Sequence, residues 1–118
     1  MLFRSPNEEI HTLQVVREAL ANAVKHSKAE AVWVDVSFES PQVKVKIRDN
    51  GRGLPDSDQP ENHYGMIIMQ DRARSLGGQL KVANHPQGGV EVSLHFIPHA
   101  RNLIPVKPAN IPQTADFN

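Results

Sequence analysis

From Ile10 to His26 apolar residues recur at helical spacing, with Leu13, Val16, Leu20, Ala23 and Val24 on one face. That spacing predicts an amphipathic helix that buries this face. Glu18, Asn22 and Lys25 fall together on the opposite side, with His26 close by, because residues three and four apart stack along a helix. Next, Val32, Val34, Val36 and Phe38 alternate with polar partners, and after Ser40-Pro41 a second alternation sets Val43, Val45 and Ile47 against Lys44, Lys46 and Arg48. The two runs predict a hairpin with one buried face. Residues 54–64 are polar and turn-rich and predict a mobile loop. Gly65 then opens a second helix, with Met66, Met69, Ala73 and Leu76 inward and Gly77-Gly78 as its stop. Gln79 to Ala83 and Gly89 to Ile97 alternate again around a His85 to Gly88 turn, with Val90, Val92, Leu94 and Phe96 inward.

The order helix, two strands, helix, two strands predicts an α+β fold, a two-layer α/β sandwich. Each amphipathic helix needs the single apolar face of a mostly antiparallel mixed sheet, so both helices lie on that face. Residues 10–98 carry the pattern; 1–9 read as a linker remnant, and 99–118, interrupted by Pro105, Pro108 and Pro112, as a disordered tail. A chain of 118 residues can bury one core. Its 13 basic and 13 acidic residues give no footprint for nucleic acid or an anionic membrane. It has no cysteine, which excludes disulfides and thiolate metal sites. The chain shows neither an apolar run long enough to span a bilayer nor the apolar core of a signal peptide, so it is expected to be soluble.

Asp49-Asn50-Gly51-Arg52-Gly53 closes the second strand. A carboxylate there can accept from the exocyclic amine of a purine, and the two glycines let backbone approach a ligand where a Cβ would obstruct it. Taken alone, such a pentapeptide is more often a plain turn. Equally, Glu18, Asn22 and Lys25 alone are most simply a solvated helix face. In combination they supply what an ATP·Mg²⁺ site needs. The amide oxygen of Asn22 suits a hard octahedral Mg²⁺, Glu18 can hold a metal-bound water or accept a proton, and Lys25 offers charge to phosphate. Free N–H groups at the start of a Gly65 helix would favour phosphate, and Arg72 can turn towards it or lie on the surface, as Arg74 does. The six histidines have no zinc-ligand spacing, and the chain contains neither a lysine phosphate loop nor a G-x-S-x-G nucleophile.

Arg17-Glu18-Ala19-Leu20-Ala21-Asn22-Ala23-Val24-Lys25-His26-Ser27 resembles the N box of the GHKL ATPases. Asp49-Asn50-Gly51-Arg52-Gly53 resembles their first glycine box, Tyr64-Gly65-Met66 to Leu76-Gly77-Gly78 the lid-helix region, and Gln87-Gly88-Gly89-Val90-Glu91-Val92 the last glycine motif. Four motifs in order run from about Leu13 to Pro98. The variant is similar to that of sensor histidine kinases, and His63-Tyr64-Gly65-Met66-Ile67-Ile68-Met69 with Asp71-Arg72-Ala73 most resembles nitrate/nitrite sensors.

The resemblance implies Glu18 as the catalytic carboxylate, Asn22 as the Mg²⁺ ligand and Lys25 as a phosphate contact. It implies Asp49 as the reader of the adenine amine, Gly51 and Gly53 as pocket wall, and Gly65 as hinge of the ATP lid. His26, Tyr64, Met66, Arg72 and Gly89 complete the nucleotide's surroundings. Val90 stands where the family usually has Thr, so one hydroxyl of the adenine region is missing. No segment resembles the dimerising helix pair that carries the phosphorylated histidine, and the strand that usually precedes the first helix has only Met1 to Glu9 to draw on. The implied whole is a homodimeric bacterial inner-membrane sensor with a response-regulator partner. This chain would be its soluble, monomeric, cytoplasmic ATP-binding domain, unable to autophosphorylate alone. Alternatives are an anti-sigma serine kinase, a clamp ATPase, or a nucleotide-binding module without turnover.

Overall fold

A computed structural model describes residues 5–54 and 60–98, with the backbone alone over 60–64. The element order is α1 (Pro6–Lys25), β1 (Val32–Glu39), β2 (Gln42–Asp49), α2 (Pro60–Ser75), β3 (Gln79–Asn84) and β4 (Val90–Phe96). The strands form one sheet in the order β1-β2-β4-β3, and every neighbouring pair is antiparallel. This is the α+β arrangement that the alternations imply. The registers Ile47↔Val92, Val45↔Leu94 and Val43↔Phe96 align the inward residues of β2 and β4. Val15 and Ala19 of α1, Met69 and Ala73 of α2 and Leu76 just after it pack on them to form the core.

The helix boundaries differ from the expected ones. Helix α1 starts at Pro6, with Ser5 as N-cap: its hydroxyl accepts from the Glu8 N–H at 3.2 Å. Pro6 costs nothing at the first helical position, because its missing N–H would have had no intrahelical partner. Residues 6–9 therefore belong to the fold rather than to a linker, and Glu8 is buried. Helix α2 starts at Pro60, so 60–64 are helical and not loop, and Gly65 lies inside the helix. The remainder of the predicted loop, 55–59, and the tail, 99–118, lie outside the described residues. At its other end α2 stops as the glycine pair implies. The N–H of Gly78 donates to Ala73 and that of Gly77 to Arg74, both at 2.9 Å, with Gly77 at φ 67°.

The buried face of α1 is in part a correction, since of the predicted residues Ala23 is buried and Val16 packs against the core but the other three do not face inward. Val15 is 0% exposed and Ala19 and Ala23 are buried with Thr12, whereas Leu13 is 57% and Val24 68% exposed and Leu20 is exposed too. Small residues win the inward side because α1 must lie close to both the sheet and α2, and the longer chains are turned to solvent. A parallel departure occurs in β1. Val34, Val36 and Phe38 sit opposite Ile47, Val45 and Val43, on the helix side of the sheet, yet all three are exposed. The helices cover β2 and β4 but on β1 only its start, where Val32 packs against the core. No strand precedes α1 among the described residues.

The corrected helix face has a measurable consequence. Val15→Ala should lower the unfolding free energy by about 2 kcal/mol, as expected for removing buried methyls, while Val24→Ala should cost less than about 0.5 kcal/mol. Urea unfolding of the two variants decides it, and a larger loss for Val24→Ala would restore the face predicted from hydrophobicity.

Candidate nucleotide site

Asp49 is the last residue of β2 and is only 5% exposed. Its Oδ1 accepts three hydrogen bonds: from the Ser27 hydroxyl at 2.8 Å, the Gly51 N–H at 2.8 Å and the Val90 N–H at 3.2 Å. No hydrogen bond from the described residues reaches Oδ2, and Asp49 lines a concavity together with Ala19, Ile47, Met66, Val82 and Val92 and the polar Asn22, His26 and Ser27. A largely apolar concavity with one carboxylate oxygen left for a donor suits a planar base bearing an amine.

The turn after Asp49 is stitched to the segment after α1. The Arg52 N–H donates to the Ser27 carbonyl at 2.6 Å, and the Gly53 N–H to the Ser27 hydroxyl at 3.3 Å. Asn50 Oδ1 accepts from the N–H groups of Glu30 and Ala31 at 2.9 and 3.0 Å. On the far side, Asn84 Oδ1 accepts from the Leu54 N–H at 2.7 Å, which holds the chain as it leaves the site. Two glycines are required by contact. A Cβ on Gly51 would collide with the Ser27 carbonyl and hydroxyl, and one on Gly89 would collide with the Asp49 carbonyl. Gly89 also sits at φ 87°, a region that side chains rarely adopt.

A third group joins the cleft from α2. A Cβ on Gly65 would lie 3.3 Å from Glu18 Oε1 and 3.4 Å from both amide atoms of Asn22. Gly65 therefore lets α2 approach the polar row of α1, and Glu18, Asn22 and Gly65 meet at one end of the site. Among the described residues no group of three or more His, Cys, Asp or Glu could hold a metal ion. An amide oxygen beside one carboxylate fits Mg²⁺, which keeps waters and phosphate oxygens in its shell rather than a full protein cage.

The remaining candidates divide. His26, Gly53 and Met66 line the concavity. Lys25 ends α1 in an exposed position and is not among the residues lining the concavity. Tyr64 belongs to α2, and its side chain lies outside the described residues. Arg72 is not part of the cleft, because two turns of helix separate it from Gly65. It faces His11 of α1 instead, and its buried Nε has no hydrogen-bond partner among the described residues. Burial, and after it the Arg72 guanidinium, hold the His11 imidazole below its ordinary value. The internal position of Gly65 also removes it as a helix start: its N–H belongs to the helix ladder and not to the free first turn. Two contributors went unassigned in the sequence. Ser27 was visible as the residue ending the N box, whereas nothing in the pattern around Asn84 marks it.

Residues 7–101 match the family described as histidine kinase-, DNA gyrase B-, and HSP90-like ATPase. The chain belongs to this family. It is 51% identical over 92 residues to the nitrate/nitrite sensor protein NarX of Escherichia coli (strain K12), covering 78% of this chain and 15% of that protein. To the nitrate/nitrite sensor protein NarQ of the same organism it is 43% identical over 89 residues, 75% of this chain and 16% of the relative. It thus spans about one-seventh of the length of these curated relatives. Among solved structures, the ATP binding domain of PrrB from Mycobacterium tuberculosis superposes with a TM-score of 0.61 at 30% identity, covering 74% of this chain and 65% of that one. The histidine kinase domain of a blue-light activated kinase from Erythrobacter litoralis EL346 gives 0.66 at 26% identity, covering 81% and 46%.

Gly88 and Gly89 separate backbone strain from crowding. Both have positive φ, at 103° and 87°, but a Cβ on Gly88 meets nothing within 4 Å. Gly88→Ala should cost about 1–2 kcal/mol and Gly89→Ala more than about 3 kcal/mol, enough to unfold a marginal domain. Equal losses in thermal unfolding would mean that the turn does not press on Asp49.

Proposed function

We propose that this chain is the ATP-binding catalytic domain of a two-component sensor histidine kinase. It presents the γ-phosphoryl group of ATP to a histidine on a separate dimerisation domain, in a protein that senses nitrate or nitrite. The observation that carries the reading is the Asp49 carboxylate, fixed through one oxygen by three donors in the lining of an apolar concavity. The sensing role is supported by the likeness to NarX and NarQ and by nothing within the site. Homodimerisation, a response-regulator partner and attachment to a bacterial inner membrane belong to the whole protein on this reading. No helix among the described residues is long and apolar enough to cross a membrane.

The purine lies in the slot with its exocyclic amine donating to Asp49 Oδ2. Ala19, Ile47, Met66, Val82 and Val92 exclude water from its faces and strengthen that hydrogen bond. The phosphates run towards Asn22 and Glu18, where the Asn22 amide oxygen would hold Mg²⁺, which when bound would neutralise charge on the phosphate oxygens. Lys25, exposed at the rim, meets a phosphate as a mobile point charge. When the acceptor imidazole attacks phosphorus, the bond to the bridging oxygen breaks and ADP leaves; a phosphorus–nitrogen bond forms, and the imidazole proton is lost with Glu18 placed to take it. Positioning provides most of the rate.

Calorimetry tests the reading on the chain as it stands. ATP should bind in a Mg²⁺-dependent manner, Asn22→Ala should remove the dependence, and Asp49→Asn should weaken binding about 10- to 100-fold. With a dimerisation domain supplied in trans, acid-labile, base-stable phosphate should appear on that domain. Binding indifferent to both substitutions would sink the site; tight binding with no transfer would leave a nucleotide-binding module.

A further inference from the structure

We propose that Ser27 is a positioning residue for base recognition: its hydroxyl orients the Asp49 carboxylate so that only Oδ2 is left to meet the base. The proposal rests on the nucleotide reading above. Ser27 is 2% exposed and follows His26, the C-cap of α1. A hydroxyl has one proton to give, and here the Gly53 N–H occupies its acceptor side at 3.3 Å while the Asp49 Oδ1 lies 2.8 Å away. The proton is therefore directed at Asp49. Among the described residues it is the only side-chain donor on that carboxylate, since the other two donors are the backbone N–H groups of Gly51 and Val90, and Val90 carries no hydroxyl.

Direction matters because a terminal carboxylate torsion is broad and nearly two-fold. Three donors converging on one oxygen select a single orientation and keep that oxygen from competing for the ligand. The free oxygen then accepts from an amine and repels a carbonyl, which is the difference between a 6-aminopurine and a 6-oxopurine. The Ser27 backbone is held independently by Arg52 through the carbonyl at 2.6 Å. Removing the hydroxyl should consequently loosen the carboxylate more than the chain around it.

Purine riboside triphosphate, which lacks the exocyclic amine, isolates this role when compared with ATP by calorimetry with Mg²⁺. The native chain should prefer ATP by about 10-fold or more, the worth of one good hydrogen bond to a charged group. Ser27→Ala should weaken ATP about 10-fold and the analogue less than about 2-fold, so that the preference collapses. Ser27→Thr, which keeps the hydroxyl, should restore it. Should Ser27→Ala fail to fold, Ser27→Cys keeps the volume with a weak donor and should give an intermediate preference. If the variants weaken both nucleotides equally, or neither, Ser27 is structural and the proposal is overturned. If the native chain itself shows no preference for ATP, the reading of Asp49 fails first.

Discussion

Asp49 Oδ1 is the point at which four separate parts of the chain are tied together. Ser27 brings the end of α1, Asp49 the end of β2, Gly51 the following turn and Val90 the start of β4. A buried carboxylate is tolerable only when its charge is met by donors, so these elements must converge if Asp49 is to be covered. The glycines follow from the same convergence, since Gly51 and Gly89 are the places where backbone comes too close for a side chain. The requirement is local and strict, and it fixes the mouth of the cleft before any ligand arrives.

Everything beneath that mouth is ordinary packing. The registers of β2 and β4 align two apolar rows, and Val15, Ala19, Met69, Ala73 and Leu76 cover them. The same two helices that build the core also wall the site, with Ala19 lining the concavity from α1 and Met66 from α2. Gly65 permits that approach by carrying no Cβ against Glu18 and Asn22. Core and site are thus not separate modules: a shift of α2 moves Leu76 in the core and Gly65 in the cleft together. The uncovered edge is β1, whose Val34, Val36 and Phe38 remain exposed on the helix side.

The strands were legible because period-two alternation with matched turns admits few other readings, and the Gly77-Gly78 stop was legible because only a left-handed residue closes a helix that way. The buried face of α1 was legible only in part. Ala23 and Val16 face inward as the spacing implies, but Leu13, Leu20 and Val24 do not, and close helix packing selected Val15 and Ala19 in their place, a choice set by distance and not by hydrophobicity. Helix α2 was entered late because Pro60 to Tyr64 carries no apolar period, although Pro60 is a favoured first residue. The start of α1 was readable in principle: Ser5-Pro6-Asn7-Glu8 is a cap, a first-turn proline and a glutamate three residues after the cap. The meeting of Glu18, Asn22 and Gly65 accords with the motif order, whereas Arg72 lies two turns further along the same side of α2 and meets His11 instead.

The central claim is that Asp49 reads a purine amine through a carboxylate held by Ser27, Gly51 and Val90. Titrating the isotopically labelled chain with adenosine, free of any phosphate, tests it most directly by nuclear magnetic resonance. The account predicts that the amide resonances of Gly51, Gly53 and Val90 shift together with adenosine and stay in place with guanosine. Equal shifts with both nucleosides, or adenosine shifts confined to residues away from Asp49, would contradict it.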